Sequence, residues 1–119
     1  MRTMLATGCL LLIMISAVQA EMTVKEYRTG IASEKSSVVT LTKLYVQATG
    51  EGITWANVAS TSAGAPIFCQ PQQLAIVSEL YLDILDRQIT SLSEQKNVAG
   101  EMVGLLLLKG LKETFPCKK

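Results

Sequence analysis

The chain has 119 residues, enough for one domain, and carries 11 basic and 10 acidic side chains. This balance gives no electrostatic signature of binding to nucleic acid or to an anionic membrane. The chain contains no histidine, so both the commonest general base and the commonest metal ligand are missing.

The first twenty residues have the pattern of a secretory signal. Arg2 precedes an apolar run from Leu10 to Val18, and small residues lead to Ala20. We predict cleavage after Ala20, which leaves a neutral exported chain of residues 21–119. The alternative is a membrane anchor, but the run is short for a bilayer span. Cys9 precedes the apolar run, so it is interpreted as part of the signal and not as a lipidation site.

Cleavage would leave two cysteines, Cys69 and Cys117. In an exported protein, two cysteines are most simply a disulfide, although two unpaired thiols remain the alternative. The bond would close a loop of 117 − 69 = 48 residues. Chain-entropy theory gives such a loop about 4 kcal/mol of stabilisation.

Two helices are predicted in the first half of the exported chain. Val24, Tyr27 and Ile31 indicate a short helix that ends near Gly30 and the sequence SEKSS. A second helix is predicted over 36–57, with one apolar face formed by Val38, Leu41, Tyr45 and Ala48.

Two glycines make the second helix ambiguous. Gly50 and Gly52 could end it, but we favour continuation to about Asn57. In that case Ala48, Gly52 and Ala56 form a stripe of small residues that another backbone could approach. Trp55 could be a contact residue, but a lone tryptophan is more often buried, so we predict it in the core.

The next segments are a loop and a third helix. Residues 59–66, ASTSAGAP, are small and polar and end at a proline, which is typical of a flexible loop. A helix is predicted from Leu74 to Thr90, with an apolar face formed by Leu74, Val77, Tyr81 and Leu85. Its other face carries Glu79, Asp83 and Asp86, interpreted as solvated charges, and Arg87 is spaced to pair with Asp83.

A last helix completes the predicted fold. Ser91 and Glu94 have the spacing of a capping box, and apolar residues continue to Phe115, before Pro116. Gly100 and Gly104 look like a second close-approach pair. The sequence therefore predicts an all-α fold, a small helical bundle of four or five helices stapled by one disulfide. The disulfide would join the start of the third helix to the end of the last.

The residues give little support for catalysis. Ser93 and Lys96 have the spacing of a penicillin-binding motif, but the partner motifs are missing and helix capping explains the serine better. The two cysteines lack a histidine partner for nucleophilic work and are too few for a zinc site. We therefore predict a non-enzyme without metal or cofactor that acts by binding.

The ordered motifs YVQATGEGITWAN, IFCQPQQL, YLDIL and GLLLLKGLKETFPC resemble the Rap1a/Tai family of periplasmic immunity proteins. The similarity covers roughly 41–117. Its shared features are a glycine-spaced helix after a tyrosine, a Cys-x-Pro and a C-terminal Phe-Pro-Cys, here Tyr45, Gly52, Cys69, Pro71, Phe115, Pro116 and Cys117. Many members carry a second disulfide, for which residues 48–52 supply no cysteine.

The resemblance implies a function in the periplasm. Such proteins, often homodimers, plug the substrate groove of peptidoglycan amidases that the type VI secretion system delivers between bacteria. On a rigid bundle, the predicted loop would suit this role, because an ordered loop loses less entropy on binding. We expect the toxin contacts to be Ser60, Thr61, Ser62, Ala63, Gly64 and Ala65. The rival interpretations are a periplasmic helical chaperone or stress protein and an envelope scaffold without a toxin partner.

Overall fold

The computed structural model describes residues 21–118, which form four helices. The predicted signal, residues 1–20, lies outside the described residues. The helices are α1 (Val24–Ile31), α2 (Ser36–Ser62), α3 (Ser78–Ser93) and α4 (Val103–Thr114), and this part of the chain contains no strand. The predicted class, an all-α bundle stapled by one disulfide, is confirmed with four helices.

Helix α1 begins at a reciprocal cap, as its sequence permits. The Thr23 side chain accepts a hydrogen bond from the Glu26 backbone N–H, and the Glu26 carboxylate accepts one from the Thr23 backbone N–H at 2.7 Å. These bonds satisfy two donors that the first turn would otherwise leave unpaired. The Thr23 hydroxyl also donates to the Glu26 carboxylate at 2.8 Å. The backbone bond and this hydroxyl bond to the carboxylate lower the pKa of the exposed Glu26 carboxyl, because they favour its charged form.

The start of α1 is joined to the start of α4 by backbone hydrogen bonds. Val24 N–H donates to the Glu101 carbonyl and Val103 N–H donates to the Met22 carbonyl, both at 2.9 Å. This pairing determines where α4 begins. It is a contact between residues far apart in sequence, so local patterning cannot reveal it.

Helix α2 passes through both glycines, as predicted, and continues to Ser62, five residues beyond the predicted end. The last turn includes two hydroxyls that donate to carbonyls one turn earlier: Thr61 to Asn57 at 2.7 Å and Ser62 to Val58 at 3.1 Å. The helix therefore absorbs the first part of the predicted loop, including Ser60, Thr61 and Ser62.

The predicted boundaries of α3 and α4 were wrong. Helix α3 starts at Ser78, because the preceding segment after Pro71 buries no helical face and leaves Leu74 and Val77 exposed. It then continues through Ser91 to Ser93, since Ile89 and Leu92 extend its apolar side, so no capping box forms at Ser91. A non-helical segment, 94–102, separates it from α4.

The core is formed by all four helices and by residues of the segments that follow α2, α3 and α4. Its buried apolar residues are Val24, Tyr27, Val46, Phe68, Tyr81, Ile84, Leu85, Ile89, Val98, Val103, Leu106, Leu107, Leu111 and Phe115. Helix α2 packs against each of the other three helices and α3 packs against α4.

Of the glycines predicted to permit close packing, only Gly104 has close neighbours: an added Cβ would lie 2.9 Å from Glu21 Oε1 and 3.5 Å from Thr49 Cγ2. The tighter approaches are at two other glycines. A Cβ on Gly50 would lie 2.5 Å from the Tyr81 ring, and one on Gly110 would lie 2.4 Å from Ile84 Cγ2. At Gly52 and at Gly100, a Cβ would meet nothing within 4 Å. The predicted stripe of Ala48, Gly52 and Ala56 is exposed, so it does not pack within the bundle.

One polar contact crosses the bundle from α1 to α3. The Tyr27 hydroxyl donates to an Asp86 carboxylate oxygen at 2.8 Å. Burial, and then this hydrogen bond, raise the pKa of Tyr27 well above its ordinary value. Asp86 is therefore more than the solvated charge that the sequence suggested, whereas Asp83 pairs with Arg87 at 3.1 Å as predicted.

Candidate functional site

The predicted contact residues surround the turn that ends α2. Ser60, Thr61 and Ser62 form the last helical turn, Ala63 is its C-cap, and Gly64 and Ala65 follow. Residues 61–66 are all exposed, and we call them the α2 tip. Gly64 has a φ of 78°, the left-handed region in which a side chain is strained. The structure therefore shows an ordered turn where the sequence indicated a flexible loop.

A buried asparagine holds the chain as it leaves the α2 tip. The Asn57 side-chain oxygen accepts hydrogen bonds from the backbone N–H groups of Ile67 at 2.8 Å and Phe68 at 3.0 Å. One side chain thus satisfies two consecutive donors and fixes the return of the chain towards the core. Sequence reasoning treated Asn57 only as a helix end, because no local pattern links it to residues ten positions later.

A disulfide holds the same segment just after the residues that bond to Asn57. Cys69 and Cys117 are bonded, with a Cα–Cα distance of 4.8 Å, which confirms the predicted disulfide. Cys69 precedes α3 by nine residues, so the bond joins the segment after α2, and not the start of the third helix, to the C-terminal tail. The Cys69 N–H donates to the Phe115 carbonyl at 2.8 Å, and the rings of Phe68 and Phe115 lie 6.3 Å apart.

These anchors frame an open groove beside the α2 tip. The groove has a volume of about 530 Å³, and its walls combine hydroxyl, amide and apolar groups from the last turns of α2 and from 66–72. Among its lining residues are Thr54, Asn57, Val58, Thr61, Phe68 and Pro71. Its chemistry suits a peptide-like surface, because its lining contains both hydrogen-bonding and apolar groups.

A different exposed surface runs along α2, and the sequence analysis missed it. At about 100° per residue, Leu41, Leu44, Ala48, Gly52, Trp55 and Ala59 lie within about 40° of one line along the helix. We call these six residues the outer face of α2. All six are exposed, including 66% of Leu41, 51% of Leu44 and 72% of Trp55.

The prediction that Trp55 is in the core was therefore wrong. Helix α2 buries the opposite side, Thr42, Val46, Gly50 and Asn57. The predicted apolar face was wrong in part, since Tyr45 packs against the core but Leu41 and Ala48 are exposed. Of these four buried residues only Val46 has an apolar side chain, so the spacing of apolar residues pointed to the outer side of the helix.

The two residues that were weighed as a catalytic motif bond to other parts of the fold. Ser93 donates to the Thr90 carbonyl at 2.7 Å inside α3, and Lys96 pairs with Glu101. Within residues 21–118, no group of three or more Cys, Asp or Glu side chains is arranged to hold a metal ion. No helix in the same part of the chain is long and apolar enough to cross a membrane.

No family model, curated protein or solved structure matches the chain. The resemblance to the Rap1a/Tai family thus stays a prediction from the sequence motifs. These residues form an exposed turn beside a groove, tied to a disulfide-bonded helical bundle by the hydrogen bonds of Asn57.

Proposed function

We propose that this chain is a periplasmic immunity protein that binds a peptidoglycan amidase and blocks its substrate groove with the α2 tip. The observation that supports this proposal best is the double anchoring of an exposed turn. Asn57 holds the segment directly after the α2 tip, and the Cys69–Cys117 bond holds it two residues further on.

Double anchoring favours inhibition for a physical reason. A protein that inserts a segment into an enzyme groove must immobilise that segment, and each freely rotating side chain costs about 0.5–1.5 kcal/mol. Small residues such as Ala63 and Gly64 have little side-chain entropy to lose and can enter a narrow groove. The predicted export signal would place the protein in the compartment that contains peptidoglycan.

The proposal is tested with the oxidised chain, purified after export, as bait in a periplasmic extract of its own bacterium. Captured proteins are identified by mass spectrometry and assayed for release of fragments from purified peptidoglycan. We expect a stoichiometric amidase whose activity falls when the chain is added. An extract that contains amidases but yields none inhibited by the chain would contradict the proposal.

Charged substitutions on the α2 tip test whether the tip contacts the amidase. The double variant Ala63→Glu with Ala65→Glu should weaken inhibition by at least tenfold, because two desolvated charges would enter the interface. Thr90→Glu with Ala75→Glu is the matched control, since it adds the same charge at exposed sites away from the α2 tip. Equal inhibition by both variants would show that the α2 tip is not the contact.

The second candidate function is a periplasmic chaperone, which the exposed outer face of α2 favours. An apolar surface of this kind can hold unfolded segments. The same capture experiment separates the two functions: a chaperone would return many unrelated proteins and would suppress aggregation of a denatured client without inhibiting an amidase.

A further inference from the structure

A second groove lies between the end of α3 and helix α4. It has a volume of about 530 Å³, and four leucines form its floor: Leu92, Leu105, Leu106 and Leu108. Leu106 belongs to the core, whereas Leu105 is 59% exposed. We call this cavity the α4 groove. A concave, mainly apolar surface of this volume that also carries a few charged groups is typical of a small-molecule site.

The two ends of the α4 groove differ in charge. At the end near the start of α4, Lys96 forms an ion pair with Glu101, so this end is neutral. At the opposite end the lining includes Lys109 and Lys112, about 9 and 14 Å along the helix axis from Val103. The groove therefore runs from a neutral end to a cationic end over an apolar floor.

The cationic end carries more positive charge than its one carboxylate can neutralise. Glu113 Oε2 accepts a hydrogen bond from Gln88 at 2.5 Å, while Glu113 Oε1 lies 3.8 Å from the Lys109 ammonium. Lys112 forms no ion pair within residues 21–118. Because side chains three positions apart on a helix are neighbours, Lys109 and Lys112 repel each other. A bound anion between the two ammonium groups would relieve this repulsion.

The helix dipole accounts for only part of this arrangement. A cation in the last turn of a helix is stabilised by the dipole, and Lys112 has that position. The dipole does not explain why an apolar floor with a largely exposed leucine, Leu105, lies beside the lysines. A ligand that combines an anionic group with an apolar body would satisfy both features.

We propose that the α4 groove binds a single-chain carboxylate of the fatty-acid class, with its carboxylate between Lys109 and Lys112 and its alkyl chain along the leucine floor. The inference does not depend on the proposed inhibitory function, which concerns the α2 tip. The carboxylates of Glu101 and Glu113 lie on the rim and would repel an anionic membrane surface spread across the groove. A single carboxylate at the cationic end avoids that repulsion at the neutral end.

The affinity should be modest, because the groove is open to water. Salt screens the attraction between exposed lysines and the bound carboxylate, so burial of the alkyl chain supplies most of the binding free energy. We therefore expect a Kd on the order of 100 μM. Both the chain and the charge should be required at this level of affinity.

The first test is calorimetric titration of the oxidised chain with decanoate below its micelle concentration. We expect one decanoate to bind per chain. Three matched ligands separate the contributions: decanol lacks the charge, decyltrimethylammonium reverses it, and acetate lacks the alkyl chain. Each should bind at least about tenfold more weakly than decanoate. Equal binding of decanol and decanoate, or no binding of decanoate at millimolar concentration, would overturn the proposal.

Matched variants locate the site. Lys112→Gln should weaken decanoate binding about fivefold, whereas Lys43→Gln, at an exposed site on α2, should leave it unchanged. Leu105→Ser should weaken binding about tenfold or more, and Leu44→Ser is its control, because Leu44 is 51% exposed on α2. All four positions are exposed, so circular dichroism should show the parent fold for each variant. Equal weakening by Leu105→Ser and Leu44→Ser would show that decanoate does not bind specifically in the α4 groove.

A charge reversal tests the orientation of the ligand. The double variant Lys109→Glu with Lys112→Glu should bind decyltrimethylammonium more tightly than decanoate, while its helical content stays that of the parent. A retained preference for decanoate would contradict the placement of the carboxylate between the two lysines. Sedimentation with phosphatidylglycerol vesicles provides the last comparison, in which the parent should remain in the supernatant. Binding to vesicles without binding to free decanoate would overturn the proposal and assign the groove to a membrane surface.

Discussion

Gly50 lies directly against the ring of Tyr81, so closely that an added Cβ would fall 2.5 Å from Cδ1 and 2.6 Å from Cγ. This contact determines how near α2 comes to α3. Its position matters because Tyr81 is almost fully buried and its hydroxyl is hydrogen-bonded to Thr54 at 2.7 Å. The ring cannot move away from a new methyl group without disturbing that bond.

Alanine should consequently have opposite effects at two glycines of the same helix. We expect Gly50→Ala to destabilise the protein by about 1–3 kcal/mol, because overpacking outweighs the gain in helix propensity. We expect Gly52→Ala to stabilise the protein by about 0.5–1 kcal/mol, since its Cβ would meet nothing within 4 Å. Urea unfolding of both variants and of the parent at one protein concentration measures both effects. Stabilisation by Gly50→Ala would show that α2 and α3 are further apart than described.

Removal of the disulfide should have the largest single effect on stability. The bond closes a loop of 48 residues, so Cys69→Ser with Cys117→Ser should lower the free energy of unfolding by about 4 kcal/mol. This is a large share of the 5–15 kcal/mol typical of a domain. Guanidinium unfolding of the variant, and of the parent with and without reductant, measures the loss.

The reduced chain should also open locally. The Cys69 N–H donates to the Phe115 carbonyl, and this bond depends on the tail remaining in place. Hydrogen exchange at the Cys69 amide should therefore accelerate far more than exchange at buried amides of α3. Unchanged protection there would mean that Phe115, which is itself buried, holds the tail without the covalent bond.

The parts of the fold that depend on local patterning could be predicted. The short α1 follows from its apolar spacing, and α4 ends before Pro116 because proline cannot continue the helix. The disulfide followed from cysteine count and export. Continuation of α2 through its glycines was predicted together with a stripe of small residues four apart, Ala48, Gly52 and Ala56, that crosses them.

The errors share one physical cause, which is that contacts between distant segments determined the outcome. Backbone pairing with Met22 and Glu101 sets where α4 begins, and the hydrogen bonds of Asn57 create the turn at the α2 tip. The buried side of α2 includes a threonine and an asparagine, so apolar periodicity identified the outer face. That misidentification is informative, because it shows that the spacing of apolar residues alone does not distinguish a buried helix face from an exposed one.

Alkaline pH should destabilise the protein through Tyr27. Burial and the hydrogen bond to Asp86 raise the pKa of Tyr27 well above the ordinary tyrosine value of about 10. As pH rises through about 10, the unfolded chain loses this proton first while the folded chain retains it. The unfolded state then binds fewer protons, so stability falls as pH rises. Below pH 10 this contribution is fully present.

Two variants isolate that effect. Tyr27→Phe removes the hydrogen bond to Asp86, so its free energy of unfolding at pH 7 should be about 1 kcal/mol lower than that of the parent. Its stability should fall less steeply between pH 10 and 11. The stability of Asp86→Asn should lie between those of the parent and of Tyr27→Phe, because an amide oxygen still accepts the hydrogen bond but carries no charge. Urea unfolding at pH 7, 10 and 11 gives the comparison. If the stability of all three proteins fell equally between pH 10 and 11, Tyr27 would be excluded as the cause of the alkaline destabilisation.

The side chain of Asn57 should control the α2 tip more than any residue on the tip itself. Asn57→Ala removes the acceptor for two backbone donors, Ile67 N–H and the buried Phe68 N–H, and should cost about 1–3 kcal/mol. Asn57→Asp retains an oxygen at the same position and is the matched control, with a smaller loss. Amide exchange at Ile67 and Phe68 should accelerate in Asn57→Ala and stay slow in Asn57→Asp. If the α2 tip plugs an enzyme groove, Asn57→Ala should also lose inhibition while its helical content, measured by circular dichroism, is unchanged. If Asn57→Ala inhibited fully although its Ile67 and Phe68 amides exchanged rapidly, binding would not require the ordered turn.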